Sequence, residues 1–211
     1  MMMFTNVQLL ADIGNTRIHI HDGNKVVHLS HEDAIEQYKN KKLKYITVKH
    51  QLKERLKAFE NWEDISELMR IENEYETMGI DRKAICLSHE NGIFVSAGSA
   101  ITVDVVEQGK YVGGFLLPGL KAYIDAYATI SPALATQLNY DISLKALPQT
   151  TRDAISFGII ASIKLLIEKY QSDKKLYISG GDGEFLSTFF DNAEFDETLI
   201  FQGMKNALEK V

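Results

Sequence analysis

The chain opens on short apolar runs that stop at clusters of turn formers, and this pattern predicts a strand meander. Val7 to Ala11 is an apolar run ending at Asp12-Ile13-Gly14-Asn15-Thr16, a group rich in turn residues. Arg17 to His21 alternates polar and apolar, the period of a half-buried strand. Asp22-Gly23-Asn24-Lys25 predicts a hairpin turn, because glycine and asparagine accept positive φ, and Lys25 to Leu29 the returning strand. Ser30, with Asp33 three residues on, is a candidate cap for a helix to about Lys39. Leu43 to Val48 is β-branched and strand-like. Leu52, Leu56 and Phe59 give Gln51 to Glu60 a helical spacing, and Ile65 to Ile71 reads as another strand. The order is β-β-β-α-β-α-β.

The second half repeats the device. Ile93 to Ser96, Ile101 to Val106 and Tyr111 to Leu117 predict three strands, with Ala97-Gly98-Ser99 as the first turn. Asp12-Ile13-Gly14-Asn15 aligns on Ser96-Ala97-Gly98-Ser99, 84 residues on. Helices are predicted over Lys121 to Tyr127 and Thr151 to Tyr170, the latter with Ile155, Ile159, Ile163 and Leu166 on one face. Lys175 to Ser179 predicts a strand ending in Gly180-Gly181-Asp182-Gly183, and a last helix covers about Gln202 to Lys210. A duplicated meander with crossover helices predicts an α/β protein of two domains sharing a cleft, divided as 1–91 and 92–211. Chance recurrence of a common strand–glycine–strand unit is the rival explanation.

Composition narrows the function. With 211 residues, 45% of them apolar, the chain can bury a core without disulfide staples. No apolar stretch is long enough to predict a transmembrane helix, and Met1 to Leu10 lacks the basic start of a signal peptide. The single cysteine, Cys86, can form neither an internal disulfide nor a cysteine-based zinc site, which suits a reducing cytoplasm. A net charge of −6 argues against a general nucleic-acid binder. Lys39, Lys41, Lys42 and Lys44 read as a solvated face.

The glycine turns carry the candidate chemistry. Polyphosphate needs backbone N–H donors at close approach, and a glycine after a strand removes the Cβ that would block it. Asn15 and Thr16 add side-chain donors, and Asp12 a carboxylate suited to Mg²⁺. Gly98-Ser99 could grip the same phosphates from the facing side, and Gly180-Gly181 could admit a flat adenine. No Walker A loop is present. Singly, each is more often a plain tight turn.

Together the segments resemble the type III pantothenate kinases. Asp12-Ile13-Gly14-Asn15-Thr16 is similar to that family's phosphate motif Asp-x-Gly-Asn-Thr. Gly79-Ile80-Asp81-Arg82 matches its Gly-x-Asp-Arg motif. Ala97 to Asp104 resembles Asp-x-Gly-Thr-Ala-x-Thr-x-Asp, and Gly113-Gly114-Phe115-Leu116-Leu117-Pro118-Gly119 its Gly-Gly-x-x-x-Pro-Gly segment. Thr151, Gly158 and Ser179-Gly180-Gly181-Asp182 follow in the family's order. The resemblance implies two ribonuclease-H-like domains of the acetate and sugar kinase, heat-shock ATPase and actin superfamily, with the active site in the cleft between them. It also implies ATP-dependent phosphorylation of the pantothenate 4′-hydroxyl, the first step of coenzyme A synthesis.

The resemblance further implies residue roles. Asp81 is the base, and Gly79, Ile80, Arg82 and Tyr75 join it around pantothenate, Arg82 as a fork for the carboxylate. Tyr75 stands closer to Gly79 in sequence than in many members. Thr151 reaches the pantothenate of a neighbouring subunit, which implies a homodimer. Asp12, Ile13, Gly14, Asn15, Thr16, Arg17, Ile18, His19 and Ser99 hold ATP, and Asp12 holds Mg²⁺. Ser96 stands where the family has an aspartate that helps bind a monovalent cation, K⁺ or NH₄⁺. His19 takes a position where some members have lysine. The plainer readings are a surface pair at a helix start for Asp81 and Arg82, and a helix cap for Thr151. Two rivals keep the fold but change the function: a non-enzymatic transcriptional accessory factor, and a kinase for another hydroxy acid or sugar.

The histidines raise a separate idea. A two-residue turn at Gly23-Asn24 would set His19 opposite His28, with His21 on the same face. Three imidazoles could bind Zn²⁺ or Ni²⁺, but a solvated hairpin face is the plainer expectation. Trp62 and Phe189-Phe190 read as core or interface residues, and Cys86 as packed on a helix.

Overall fold

A computed structural model describes residues 8–210. Val7, the expected first strand residue, lies outside them. The chain forms two five-stranded sheets, each in its own compact unit.

The first sheet is built from β1 (Leu9–Ile13), β2 (Ile18–His21), β3 (Val26–Leu29), β4 (Leu43–Thr47) and β5 (Trp62–Asp64), in the order β3-β2-β1-β4-β5. The meander β1–β2–β3 is antiparallel, and β4 and β5 add in parallel. Helix α1 (His31–Tyr38) and the short α2 (Lys53–Lys57), after a 3₁₀ turn at His50–Leu52, provide the crossovers. Ser30 caps α1 as expected, its hydroxyl accepting from the Asp33 N–H at 3.1 Å. Ala11, Ile13, Ile18 and Ile20 alternate onto one face and bury against Ala34, Ile35 and Leu56.

Ile65 to Ile71 is not a strand. Asp64 Oδ1 accepts the Ser66 N–H at 2.9 Å, an Asx turn that ends β5, and a 3₁₀ turn follows at Ser66–Leu68. Ile65, Met69 and Ile71 are nevertheless buried, so their apolar spacing reports core contact rather than a ladder. Helix α3 (Ile80–Cys86) follows and buries Cys86.

The second sheet has the same design: β6 (Gly92–Ala97), β7 (Ala100–Glu107), β8 (Lys110–Pro118), β9 (Leu176–Ser179) and β10 (Ala193–Phe195), ordered β8-β7-β6-β9-β10. β6 is antiparallel to β7 and parallel to β9. The crossover uses α4 (Leu120–Ile130), a 3₁₀ turn at Pro132–Leu134 and the long α5 (Thr151–Gln171); α6 (Gly183–Ser187) joins β9 to β10. Ile155, Ile159 and Ile163 of α5 meet Ile93, Val95 and Val103 of the sheet in one core. Strand order thus repeats across the 84-residue offset read from the turns.

The compact units depart from the 1–91 and 92–211 division at two places. Gly109–Tyr111 and the chain from Thr198 on group with the first unit, which otherwise ends at Glu90. The reason is α7 (Leu199–Leu208), which packs on α3 and β1. Gly203 lets this happen: a Cβ there would stand 1.6 Å from the Ala84 carbonyl oxygen. Asn206 Nδ2 then donates to the Leu87 and Ser88 carbonyls, tying off the end of α3.

Candidate active site

In the first unit the site grows from the β1–β2 turn. Gly14 N–H donates to Arg17 O at 3.0 Å, closing the turn, and Asn15, Thr16 and Arg17 are exposed at its tip. The turn is braced from outside. Thr47 Oγ1 and Val48 N–H both donate to Ile13 O at 3.2 Å, and Lys49 Nζ donates to Asn15 O at 2.8 Å. His31 Nε2 meets Gly14 O at 3.0 Å and must donate, since a carbonyl only accepts. The carbonyls are thus spent on the protein, and a cation absent from the motif, Lys49, stands at the turn. Its signal in the sequence is position: it leaves the carboxyl end of the strand parallel to β1, where open α/β sheets bind ligands.

Asp12 faces away from the Ala11–Ile13 core, on the side of the sheet where His21 stacks on Phe201 of α7 with ring centroids 5.4 Å apart. It is half-buried. Burial first, and the negative charge of Asp81 second, push its carboxyl up to about 7. A pair of carboxylates under such tension is the donor set a hard divalent cation relieves.

Asp81 lies in the first turn of α3, which Gly79 begins, and its Oδ1 accepts the Arg82 N–H at 2.9 Å. The expectation of a plain surface pair fails: Arg82 is only 5% exposed and Asp81 half-buried. The Arg82 guanidinium donates through Nη1 to the Tyr75 hydroxyl and through Nη2 to the Tyr111 hydroxyl, the latter at 3.2 Å. The two phenol rings lie 5.9 Å apart. Tyr111 belongs to no motif in the sequence. A single parallel bridge, Glu72 to Lys110, brings it here, with Tyr111 N–H donating to Glu72 O at 2.9 Å. Beside the cluster Lys83 Nζ meets Glu74 Oε1 at 2.8 Å, both side chains largely buried.

In the second unit three glycine-bearing segments converge. Gly98 N–H donates to Ala100 O at 3.1 Å, Gly119 N–H to Ser99 O at 3.2 Å, and Asp182 N–H to Ala97 O at 3.0 Å. Gly180 has φ +93°, and a Cβ there would stand 2.4 Å from Ala97 O. Ser99 is exposed at the tip, and Ser96 is half-buried beside Thr102 and Ser179 on its neighbouring strands.

Two expectations change. Thr151 is exposed and starts α5, but the cap is Thr150, whose hydroxyl accepts the Asp153 N–H at 3.1 Å. His19 does oppose His28 on the hairpin, with Nδ1 atoms 2.6 Å apart. His21, however, is buried against Phe201 and its Nδ1 accepts the Gly23 N–H at 3.1 Å. Among the described residues no group of three or more His, Cys, Asp or Glu side chains is arranged to hold a metal. Only His28 of the three is exposed, so the solvated-face expectation holds for it alone. Trp62 and Phe190 are buried, as expected.

Comparison with known proteins decides the family. The type III pantothenate kinase family model matches residues 63–173. The type III pantothenate kinase of Campylobacter jejuni is 42% identical over 96% of this chain and 97% of its own. This chain belongs to the type III pantothenate kinase family. The Helicobacter hepaticus member of the type III pantothenate kinases is 40% identical over 96% of this chain and 98% of its own. Among solved structures, a Campylobacter jejuni protein provisionally described as a Baf family transcriptional activator superposes with a TM-score of 0.86. It is 42% identical and covers 96% of this chain and 98% of its own. The fold extends further. The activator of 2-hydroxyisocaproyl-CoA dehydratase from Clostridium difficile, solved with bound ADPNP, aligns with a TM-score of 0.53 at 10% identity over 96% of each chain. The two five-stranded sheets of this type III pantothenate kinase family member are thus the two ribonuclease-H-like domains expected from the sequence, in a fold shared with that activator.

Proposed function

We propose that this chain is a pantothenate kinase that transfers the γ-phosphoryl group of ATP to the 4′-hydroxyl of pantothenate. The observation that carries the reading is the near-complete alignment with named pantothenate kinases, in a chain that keeps Asp81 within electrostatic reach of Asp12.

Phosphoryl transfer leaves little covalent work to the protein, so positioning and charge dominate. Asp81 accepts the 4′-hydroxyl proton as the new oxygen–phosphorus bond forms and the bond to ADP breaks. Gly79 and Ile80 set Asp81 at the start of α3. Arg82 faces the pantothenate carboxylate, and its two phenol partners sharpen that role. Tyr75 and Tyr111 each accept from the guanidinium, and Tyr75 so keeps its own O–H proton to donate to an anion. Asp12, Ile13, Gly14, Asn15, Thr16, Arg17, Ile18 and His19 of the first turn and Ser99 of the second hold the phosphates, with Lys49 adding charge.

Asp12 is the residue fitted to hold Mg²⁺, which when bound offsets the phosphate charge. The hydroxyl row around Ser96 takes the place of the family's monovalent-cation carboxylate. Thr151 reaches the pantothenate of a second copy in a homodimer, and the enzyme works in the cytoplasm without nucleic acid or membrane.

The test is coupled ADP release with pantothenate, with and without K⁺, on wild type and Asp81→Asn. Turnover in wild type that collapses in the variant is the expected result. Equal release in both removes Asp81 from its role. No release with pantothenate in any salt favours the reading that the Baf description of one solved relative suggests, a transcriptional accessory factor. Release with another hydroxy acid or sugar alone would keep the kinase and replace its substrate.

A further inference from the structure

We propose that His28 is a positioning residue for His19. Its Nδ1–H donates to Nδ1 of His19 and so fixes His19 as the Nε2–H tautomer, a neutral donor to the phosphate oxygens of a nucleotide at the Asp12 turn. The location of that nucleotide rests on the reading above.

The geometry starts from register. Asp12 pairs with His19 across β1 and β2, and His19 with His28 across β2 and β3, so the three side chains form one row on one face. The imidazoles meet edge to face, with centroids 4.8 Å apart and planes at 73°. Two ring nitrogens 2.6 Å apart can be neither two donors nor two acceptors. One proton lies between them, and which ring owns it decides what His19 offers at its far nitrogen.

The surroundings assign it to His28. His28 is exposed and His19 half-buried. Burial, with His28 and Arg17 beside it, drives the His19 ring down to about 4, which leaves it neutral at physiological pH. Asp12 on β1 stands in the same row, and the charge of Asp81 at the start of α3 acts on Asp12. His21, two residues along β2, is occupied by Gly23 and Phe201. With Nδ1 of His19 accepting, its Nε2 carries the proton and can donate to phosphate. The opposite arrangement would turn a lone pair on an anion. His28 thus acts through His19 while touching no ligand itself.

Calorimetric titration of ATP, run alongside KM and kcat, tests this. His28→Leu, a good strand former at an exposed site, should raise the ATP Kd and KM roughly 3- to 10-fold, the worth of about one hydrogen bond. The loss should fall on KM rather than kcat. His28→Asn, whose amide N–H can still donate, should recover most of it. His28→Asp, which demands the opposite tautomer, should bind no better than His28→Leu. His19→Ala should lose a similar amount, and adding His28→Leu to it should cost nothing more. Wild-type affinity in His28→Leu overturns the proposal, as does an undiminished effect in the His19→Ala background. Tight ATP binding that depends on His28, in a protein that phosphorylates no pantothenate, would sink the functional reading and keep this one. No ATP binding in the wild type overturns both.

Discussion

In the first sheet the row crossing β4, β1, β2 and β3 reads Ile46, Asp12, His19 and His28. In the second, the row crossing β9, β6 and β7 at the aligned position reads Ser179, Ser96 and Thr102. Strand order is shared, yet one row carries a carboxylate and two imidazoles and the other only neutral hydroxyls. A repeated scaffold fixes where side chains stand; their chemistry diverges freely. The first half bears the cost of desolvating a carboxylate, visible as the raised proton affinity of Asp12. The second half closes its turns with backbone and glycine, which cost little to bury once hydrogen-bonded.

The sharpest test of that difference is Asp81, whose negative charge acts on Asp12 of the first row. Replacing it with asparagine keeps shape and removes the carboxylate that we propose as the base. We expect kcat to fall by roughly 10²- to 10⁴-fold, with KM for ATP nearly unchanged. A loss shared equally between kcat and ATP affinity would make Asp81 a nucleotide ligand and dissolve the division of labour.

Asp12→Asn should act on stability and metal together. The folded carboxyl titrates near 7 against an ordinary 3.8. Below the lower value both states are protonated and nothing is lost. As pH rises between the two, the unfolded chain ionises first, so the native state loses stability relative to it, and above the upper value the loss is constant. Each pKa unit is about 1.4 kcal/mol, so the full difference is at most about 4 kcal/mol, and less to the extent that solvent reaches the half-buried carboxyl. In metal-free buffer the variant should therefore gain Tm over wild type from pH 5 to pH 8. Added Mg²⁺ should raise the Tm of wild type at pH 8 and leave the variant where it was. Parallel pH profiles for the two proteins would show that Asp12 is not strained.

The second half should be sensitive to backbone instead. Gly180→Ala puts a Cβ against Ala97 O at a positive φ, and we expect about 1–3 kcal/mol of destabilisation by denaturant titration. Gly181→Ala, where a Cβ meets nothing within 4 Å, should stay within about 0.5 kcal/mol. Equal effects would mean that the convergence on the β6–β7 turn is not tight.

What the sequence made legible follows from range. The two meanders, the Ser30 cap and the opposition of His19 and His28 depend on residues within a few positions of each other, and periodicity with turn chemistry suffices for them. Ile65 to Ile71 misled because buried isoleucines carry the same apolar signal in a loop as in a strand; the local Asx turn decided. The partnership of Arg82 and Tyr111 spans 29 residues and hangs on one bridge. The return of α7 to the first unit hangs on the missing Cβ of Gly203. Neither leaves a local trace. The strain on Asp12 arises from burial by elements far along the chain.

The smallest effect probes whether the hydroxyl row can be made to resemble its counterpart. Ser96→Asp would set a carboxylate between Ser179 and Thr102 at a half-buried position. Desolvation would penalise that charge, and a monovalent cation would relieve it, so the variant should depend on K⁺ more steeply than wild type. We expect the KM for ATP in Ser96→Asp to fall a few-fold on adding K⁺, an effect of roughly 1 kcal/mol, while wild type moves less. The variant should also be the less stable of the two in K⁺-free buffer and recover when K⁺ is added. If it loses stability and K⁺ restores neither stability nor affinity, the row in the second sheet is a packing surface rather than a cation site. The two halves would then differ in kind, one holding charges and the other only backbone.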